Sequence, residues 1–229
     1  FIIKSGSIWD GKTFYDLYKS AYTPWEWHEE LFNCAKEEGL ICFSSPFDKS
    51  AVDFLENLNV PAYKIASFEI TDIPLIEYVA SKGKPVILST GIATSEDIEL
   101  ALDACHRMGN HDIALLKCTS SYPAPIEEAN MAMIPDFRDR FNVISGLSDH
   151  TLGSTVPIVA TTLGARIIEK HFTLDKNFSK FRDHQLSADY YDLKKLDPGF
   201  KIVFKDEEIN ISSNWKDICK LFDKYEIKS

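Results

Sequence analysis

The sequence predicts an α/β fold in which parallel strands alternate with helices. From residue 24 onward, helical patterns and short apolar runs follow one another at fairly even spacing, which is typical of parallel βα units. The runs are apolar almost without interruption, as expected for strands that are covered on both faces. No dinucleotide-binding glycine pattern follows the first run, so a doubly wound sheet is less favoured.

Six apolar runs are predicted to be strands, at residues 40–45, 62–67, 85–90, 113–118, 143–147 and 166–170. Helices are expected between them, at residues 24–35, around 51–55, and at 74–81, 95–108 and 157–163. Pro24 and Ser95 begin two of these helices, and Gly39 ends the first. A (β/α)8 barrel has eight strands and an active site at their carboxyl ends. The sequence therefore predicts a TIM-type barrel of which about six strands are present.

Composition limits the classes of partner. The 229 residues are 45% hydrophobic and 12% aromatic, enough for one large core. A formal net charge of −10 disfavours nucleic acid or an anionic membrane as a partner. No run is long and apolar enough to span a bilayer, and the first residues lack a signal-peptide layout, so a cytoplasmic location is expected. The five cysteines, an odd number without paired zinc-type spacing, are expected to be buried thiols.

A change of composition at Asp197-Pro198-Gly199 predicts a domain boundary. Residues 1–196 are assigned to the barrel domain, and residues 197–229 to a C-terminal extension of unknown role. Within the extension we expect a strand at 200–204, a polar turn at 206–208 and an amphipathic helix at 214–225.

Two histidines close neighbouring predicted strands. His150 follows the run that begins at Val143, and His171 follows the run that begins at Arg166. Side chains at the carboxyl ends of adjacent parallel strands point into one shared mouth. Two imidazoles there suit a divalent metal whose other positions stay open to water or substrate.

Five ordered segments at successive strand ends resemble the sialic acid synthase family over about residues 1–196: 64–69, 89–91, 117–123, 146–151 and 169–172. Within that family, residues 9–11, 23–28 and 66–69 look most like those of pseudaminic acid synthases. The resemblance implies condensation of phosphoenolpyruvate with the aldehyde of an N-acetylated hexose, such as 2,4-diacetamido-2,4,6-trideoxy-altrose or N-acetylmannosamine. The products would be a nine-carbon 2-keto sugar acid and phosphate.

The resemblance also assigns roles to residues. Positions that serve phosphoenolpyruvate in the family are matched by Lys64, Ser67, Ser45, Ser120 and Ser148. Tyr122 and Asp183 match sugar-contacting positions, although the surroundings of Asp183 lack the usual glycine-rich run. Mn²⁺ or Mg²⁺ on His150 and His171 would polarise the aldehyde, and Glu69 would handle the proton of the attacking water. Another reading of Glu69 is a salt bridge to Lys64 or Lys170.

Two parts of the family pattern are not found in this sequence. The first two barrel strands, with an acidic sugar-binding residue and a Lys-x-Gln phosphate-binding strand, have no counterpart. The C-terminal antifreeze-like domain, whose arginine reaches the partner's active site in the implied homodimer, is not recognisable in residues 197–229. We therefore expect the isolated polypeptide to form no closed, active barrel and to associate through its sheet edges.

Two other functions fit parts of the pattern. Lys64, Lys117 and Lys170 lie near strand ends, and a desolvated lysine there could form a Schiff base, as in an aldolase. An open scaffold that binds sugar weakly or not at all is the non-enzymatic alternative.

Overall fold

A five-stranded parallel sheet forms the centre of the structure. The computed structural model describes residues 2–4, 10–178, 182–196, 201–204 and 207–210. The strands are β1 (Tyr63–Ile65), β2 (Val86–Ser89), β3 (Ile113–Cys118), β4 (Ile144–Asp149) and β5 (Ile167–Lys170). They lie side by side in chain order, and every pair is parallel. This half-barrel with flanking helices confirms the predicted TIM-type α/β class.

Helices precede, connect and follow these strands. In chain order they are α1 (Phe14–Ala21), α2 (Trp25–Glu37), α3 (Lys49–Asn57), α4 (Ile73–Ala80), α5 (Ser95–Arg107), α6 (Met133–Phe141), α7 (Thr155–Thr162), α8 (Arg182–Leu186) and α9 (Tyr190–Leu196). Two further strands, β6 (Lys201–Phe204) and β7 (Glu207–Asn210), pair antiparallel in a separate sheet.

Side-chain caps fix where several helices begin. Asp48 accepts a hydrogen bond from the backbone N–H of Ala51 at the start of α3, and Asp72 accepts one from Leu75 in α4. At α5, Thr94 and Asp97 form a reciprocal capping box. Each cap satisfies a backbone donor that has no partner within the helix.

Six predicted strands become five, because residues 40–46 adopt no regular structure. One backbone hydrogen bond, from the Lys64 N–H to the Ser44 carbonyl at 3.4 Å, places this segment beside β1. Ile41 and Phe43 are exposed, so the apolar run that predicted a strand is only partly covered. A single bond of that length does not make a ladder.

Other differences concern four helices and the C-terminal segment. The sequence did not predict α1, α6, α8 or α9; of these, α6 ends at Asn142 in the left-handed region (φ 51°). The turn predicted at 206–208 is wrong in part, because Glu207 and Glu208 belong to β7. The helix predicted at 214–225 lies outside the described residues, and the domain boundary after residue 196 stays a prediction.

The sheet has two chemically different faces. One face packs on the helices through Tyr63, Ile65, Val86, Leu88 and Leu115, within a cluster that includes side chains of α3, α4 and α5. The other, which we call the inner face, carries a smaller cluster of Ile87, Ala114, Leu116 and Ile167. Successive residues of a strand point to opposite faces. The pairing register between the strands therefore determines which functional side chains share the inner face.

Cys105 and Cys118 are buried as predicted, whereas Cys34 is exposed and Cys42 is half-buried, so the expectation was wrong for these two. Cys219 lies outside the described residues. No helix within the described ranges combines the length and the apolar character needed to cross a bilayer.

Candidate active site

The inner face collects polar side chains at the carboxyl edge of the sheet. Lys64 pairs in register with Ile87, Cys118 with Ser148, and Ser148 with Glu169. The alternation that places Ile87 and Leu116 on the inner face places these residues there as well, followed by His150 and His171 one step beyond the strands. The shared mouth that the sequence predicted is therefore present.

Lys64 is a buried cation at the centre of this face, 7% exposed. Its Nζ donates to the Ser89 Oγ at 2.7 Å and to the Ile65 carbonyl at 3.2 Å, and lies 3.5 Å from the Glu169 Oε2. Ser148 donates to the Glu169 Oε1 at 2.6 Å. A chain of polar contacts therefore links β1 to β4 through Glu169.

Two of the predicted serines meet at Gly91. The backbone N–H of Gly91 donates to the Ser67 Oγ at 3.1 Å. A Cβ atom at Gly91 would lie 2.1 Å from the Ser120 Oγ and 2.7 Å from the Ser67 Oγ. Only glycine leaves room for both hydroxyls, which together can bind an anionic oxygen.

The histidine pair has the geometry that the sequence predicted. The ring centroids of His150 and His171 are 5.4 Å apart, with their planes at 61°. The Nδ1 of His150 lies 2.9 Å from the Thr119 carbonyl; because a carbonyl only accepts, Nδ1 carries the proton and the lone pair stays on Nε2. This is the usual way in which a metal-binding histidine is oriented.

A cation on these histidines would need further ligands. Across the described residues, no group of three or more His, Cys, Asp or Glu side chains is placed to hold a metal ion. Two imidazoles fit the donor set of a site that completes its coordination with water or substrate oxygens.

Tyr122 covers the histidines. Its ring centroid lies 4.1 Å from that of His150 and 5.8 Å from that of His171. Burial and the negative charges nearby, Asp183 among them, raise the pKa of Tyr122 to about 12, so its hydroxyl stays a donor at neutral pH. Burial lowers the pKa of His171, and the neighbouring His150 adds to this, while the charge of Asp183 opposes it. The predicted sugar-contacting residues thus lie beside the predicted metal site, Asp183 at an exposed position of α8.

Cys118 also belongs to this site, although the sequence analysis treated it only as a buried thiol. Its Sγ lies 3.8 Å from the His150 Nδ1. Burial acts to raise the pKa of Cys118, but contacts with His150, Ser67 and Ser148 lower it overall. Burial likewise acts to lower the pKa of His150, but its contacts with Cys118 and the Thr119 carbonyl raise it.

Glu69 and Ser45 lie to one side, in a cleft beside the end of β1. The Oε2 of Glu69 is buried without a hydrogen-bond partner within the described part of the chain. Burial raises the pKa of Glu69, against a backbone hydrogen bond and the nearby charge of Lys64. Among the described residues, Lys64 forms an ion pair with Glu169 and Lys170 forms one with Asp149. Neither lysine pairs with Glu69, so the alternative reading of Glu69 as a salt-bridge partner is wrong.

The three candidate Schiff-base lysines occupy different faces. Only Lys64 is on the inner face; Lys117 and Lys170 alternate with inner-face residues and point toward the helices. Burial lowers the pKa of Lys117, but its Nζ donates to the Cys118 carbonyl at 2.7 Å and the Thr119 Oγ1 at 2.9 Å. Lys170 is 2.6 Å from Asp149. This placement disfavours an aldolase that uses Lys117 or Lys170.

Four residues that shape the site were not predicted as site residues: Ser89, Gly91, Cys118 and Glu169. Ser89, Gly91 and Glu169 lie within the ordered motifs, so a signal was present, but no motif states which hydroxyl meets the ammonium. The contacts of Cys118 depend on strand register, which the sequence alone does not specify.

Known proteins are similar to this chain in sequence. Residues 2–206 match the sequence profile of the NeuB family. The pseudaminic acid synthase of Helicobacter pylori is 50% identical over 196 residues, which are 86% of this chain and 57% of that enzyme. The N,N'-diacetyllegionaminic acid synthase of Campylobacter jejuni is 40% identical over 198 residues, covering 81% of this chain and 59% of that enzyme.

A solved structure agrees over most of the fold. The crystal structure of N-acetylneuraminic acid (sialic acid) synthetase from Leptospira borgpetersenii, in complex with citrate, aligns with a TM-score of 0.76 at 30% identity. The alignment covers 90% of this chain and 67% of that one. This chain spans a little more than half the length of the curated relatives it matches.

Proposed function

This chain belongs to the NeuB family, as its five ordered motifs predicted, and we propose that it serves the condensation of phosphoenolpyruvate with an N-acetylated hexose. The observation that carries the proposal is the convergence of Lys64, Ser148, His150 and His171 on one face, at one edge, of a parallel sheet. This edge is where barrel enzymes bind and convert their substrates.

Phosphoenolpyruvate binds at Lys64 and the neighbouring hydroxyls. A phosphate and a carboxylate need a cation and rigid short donors. Lys64 supplies a buried ammonium, while Ser67 and Ser120 supply hydroxyls that meet at Gly91. Ser148 is held by Glu169 beside the same ammonium. Ser45 lies at the neighbouring cleft with Glu69, and we propose that its hydroxyl meets phosphoenolpyruvate where that cleft borders the Lys64 site.

The reaction forms one carbon–carbon bond and one carbon–oxygen bond to water, and it breaks the carbon–oxygen bond to phosphate, which leaves with the last proton of that water as the ketone forms. The methylene carbon of phosphoenolpyruvate attacks the aldehyde carbon, and the aldehyde oxygen gains a proton. Water then adds to the adjacent carbon, and phosphate leaves with its bridging oxygen, so that a 2-keto acid remains. Glu69 accepts the proton of that water, a role that suits a carboxylate held without a competing cation.

His150 and His171 are the residues that would hold a divalent metal, and Mn²⁺ fits two imidazoles better than Mg²⁺ does. A bound Mn²⁺ would supply Lewis-acid polarisation of the aldehyde. The chain's own contribution is orientation: the Thr119 carbonyl fixes the His150 tautomer. The Tyr122 ring packs against the His150 ring at a tilt of 33° and meets the His171 ring nearly at a right angle.

The acceptor that we propose is 2,4-diacetamido-2,4,6-trideoxy-altrose, because the pseudaminic acid synthase is the more similar of the two named synthases. N-acetylmannosamine is the related alternative. The homodimer that the family resemblance implies stays a prediction, which sedimentation equilibrium tests.

The experiment compares this chain with the same chain joined to the segments of the Helicobacter pylori enzyme that lie outside the match. With phosphoenolpyruvate, sugar and Mn²⁺, the joined protein should release phosphate only when both substrates are present, and His150→Ala in it should abolish release. No release from the joined protein would contradict the proposal. Borohydride with pyruvate tests the aldolase alternative, because a Schiff base would be trapped as a covalent adduct and the proposed route forms none.

A further inference from the structure

An aromatic cleft lies beside the carboxyl end of β1, next to the site described above. Its walls include the aromatic side chains Tyr18, Tyr22, Trp25, Phe47, Phe54 and Phe68. Five of them come from α1, α2, α3 and the segments that flank these helices, and Phe68 comes from the turn after β1. Ser44, Ser45 and Glu69 line the same cleft.

The walls present apolar surface to an open space. Tyr18, Tyr22, Phe47 and Phe68 are each more than 60% exposed, whereas Trp25 and Phe54 stack on each other with centroids 4.5 Å apart. Exposed aromatic surface that is gathered around one concavity is typical of a ligand site.

The charge of the cleft indicates a neutral ligand. The described residues that line it include Asp48 and Glu69 but no lysine or arginine. A phosphate or carboxylate would therefore meet negative charge here, so phosphoenolpyruvate is not the expected occupant.

Glu69 points to a hydrogen-bond donor on that ligand. Its Oε2 is buried and has no partner among the described residues, a costly state that a ligand donor would relieve. Lys64 is close enough for its charge to act on Glu69, so a ligand in the cleft would lie beside the phosphoenolpyruvate site.

We propose that the aromatic cleft is the acceptor-specificity site, which rests on the proposed function. It binds the apolar substituents of the sugar, namely the acetamido methyl groups and the methyl group of a 6-deoxy sugar. Glu69 accepts a hydrogen bond from a hydroxyl or amide N–H at the polar edge of the sugar. A diacetamido, deoxygenated hexose fills the cleft better than a hexose with one acetamido group and a full set of hydroxyls.

The test measures binding by calorimetry to the joined protein described above, because the isolated 229-residue chain is not expected to close the barrel. The probes are the reduced, unreactive alditols of 2,4-diacetamido-2,4,6-trideoxy-altrose and of N-acetylmannosamine, with phosphoenolpyruvate titrated separately. The variants are Tyr18→Ala and Phe68→Ala, both at exposed positions. Tyr15→Ala is the matched control, because Tyr15 lies on the same helix, is 73% exposed and does not line the cleft.

Each cleft variant should weaken binding of the diacetamido probe about fourfold, the effect of exposing one methyl group. Binding of phosphoenolpyruvate and the behaviour of Tyr15→Ala should stay unchanged. Equal binding of the diacetamido probe by Tyr18→Ala, Phe68→Ala and Tyr15→Ala would overturn the cleft assignment and leave the phosphoenolpyruvate site standing. A chain that binds phosphoenolpyruvate but neither sugar probe would overturn it too, whereas one that binds none of the three ligands would contradict the proposed function itself.

Discussion

A buried ion pair on the helix-facing side of the sheet should hold the two histidine segments together. The Nζ of Lys170 lies 2.6 Å from the Asp149 Oδ2 and donates to the Thr151 carbonyl at 2.7 Å. The Asp149 Oδ1 accepts from the N–H and the hydroxyl of Thr151. Asp149 precedes His150 in the chain and Lys170 precedes His171. The ion pair and its hydrogen bonds therefore connect the end of β4 to the end of β5.

Lys170→Met should therefore destabilise the protein strongly. The side chains of Lys170 and Asp149 are 5% and 1% exposed, and removing one partner of a buried pair costs about 3–5 kcal/mol. Since Thr151 still donates to Asp149, we expect about 3 kcal/mol, at the lower end of that range. Asp149→Asn combined with Lys170→Met should lose less, because no unpaired buried charge remains.

Urea unfolding measures this effect, provided that the slope of the unfolding free energy against urea concentration is the same in the variant and the unmodified protein. Arg107→Met is the control, because the Arg107–Glu77 pair is 51% and 35% exposed and such pairs contribute about 0–1 kcal/mol. Calorimetric Mn²⁺ affinity should also fall in Lys170→Met and not in Arg107→Met. A Lys170→Met protein as stable as Arg107→Met would show that the Lys170–Asp149 pair does not stabilise the fold.

Four further outcomes are expected. His150→Ala and His171→Ala should each weaken calorimetric Mn²⁺ binding, while His106→Ala, at an exposed position on α5, should not; retained affinity in both site variants would remove the metal assignment. Lys64→Ala should raise the Michaelis constant for phosphoenolpyruvate by a factor that corresponds to about 1.5–3 kcal/mol, the contribution of a charged hydrogen bond; an equal rise in the Michaelis constant for the sugar would speak against this role of Lys64. Gly91→Ala should weaken phosphoenolpyruvate binding, because its Cβ would displace the Ser120 and Ser67 hydroxyls; unchanged affinity would move the anion elsewhere. Glu69→Gln should lower the turnover number and remove the acidic limb of the pH profile, with little change in either Michaelis constant because the amide oxygen of glutamine still accepts the hydrogen bond from the sugar. Burial raises the pKa of Glu69, so that limb lies above the pH at which an ordinary glutamate ionises; an unchanged limb would assign it to another group.

The sheet was predictable where apolar runs are fully buried. β3 begins and ends where the sequence analysis placed it, at Ile113 and Cys118, because both of its faces are covered. Residues 40–45 carry an equally apolar pattern but form no ladder, since strand formation depends on neighbours as well as on the run itself. Pattern alone does not distinguish these two cases.

The candidate site was predictable in outline but not in its contacts. Strand ends that carry His150 and His171 had to meet once the strands were parallel and adjacent. The approach of Ser67 and Ser120 to Gly91 depends on register and on the two loop conformations. The aromatic cleft joins residues from α1 to Glu69, and contacts of that sequence separation leave no local signal in the chain.

We propose that this edge of the sheet joins the three carbons of phosphoenolpyruvate to a sugar and frees phosphate. The most direct measurement is the mass of the products that the joined protein forms from phosphoenolpyruvate labelled with ¹³C at all three carbons and unlabelled sugar. We predict a nine-carbon acid that contains all three labelled carbons, together with one equivalent of inorganic phosphate. Labelled pyruvate beside unchanged sugar, or a phosphorylated sugar, would show that this carbon–carbon bond is not formed.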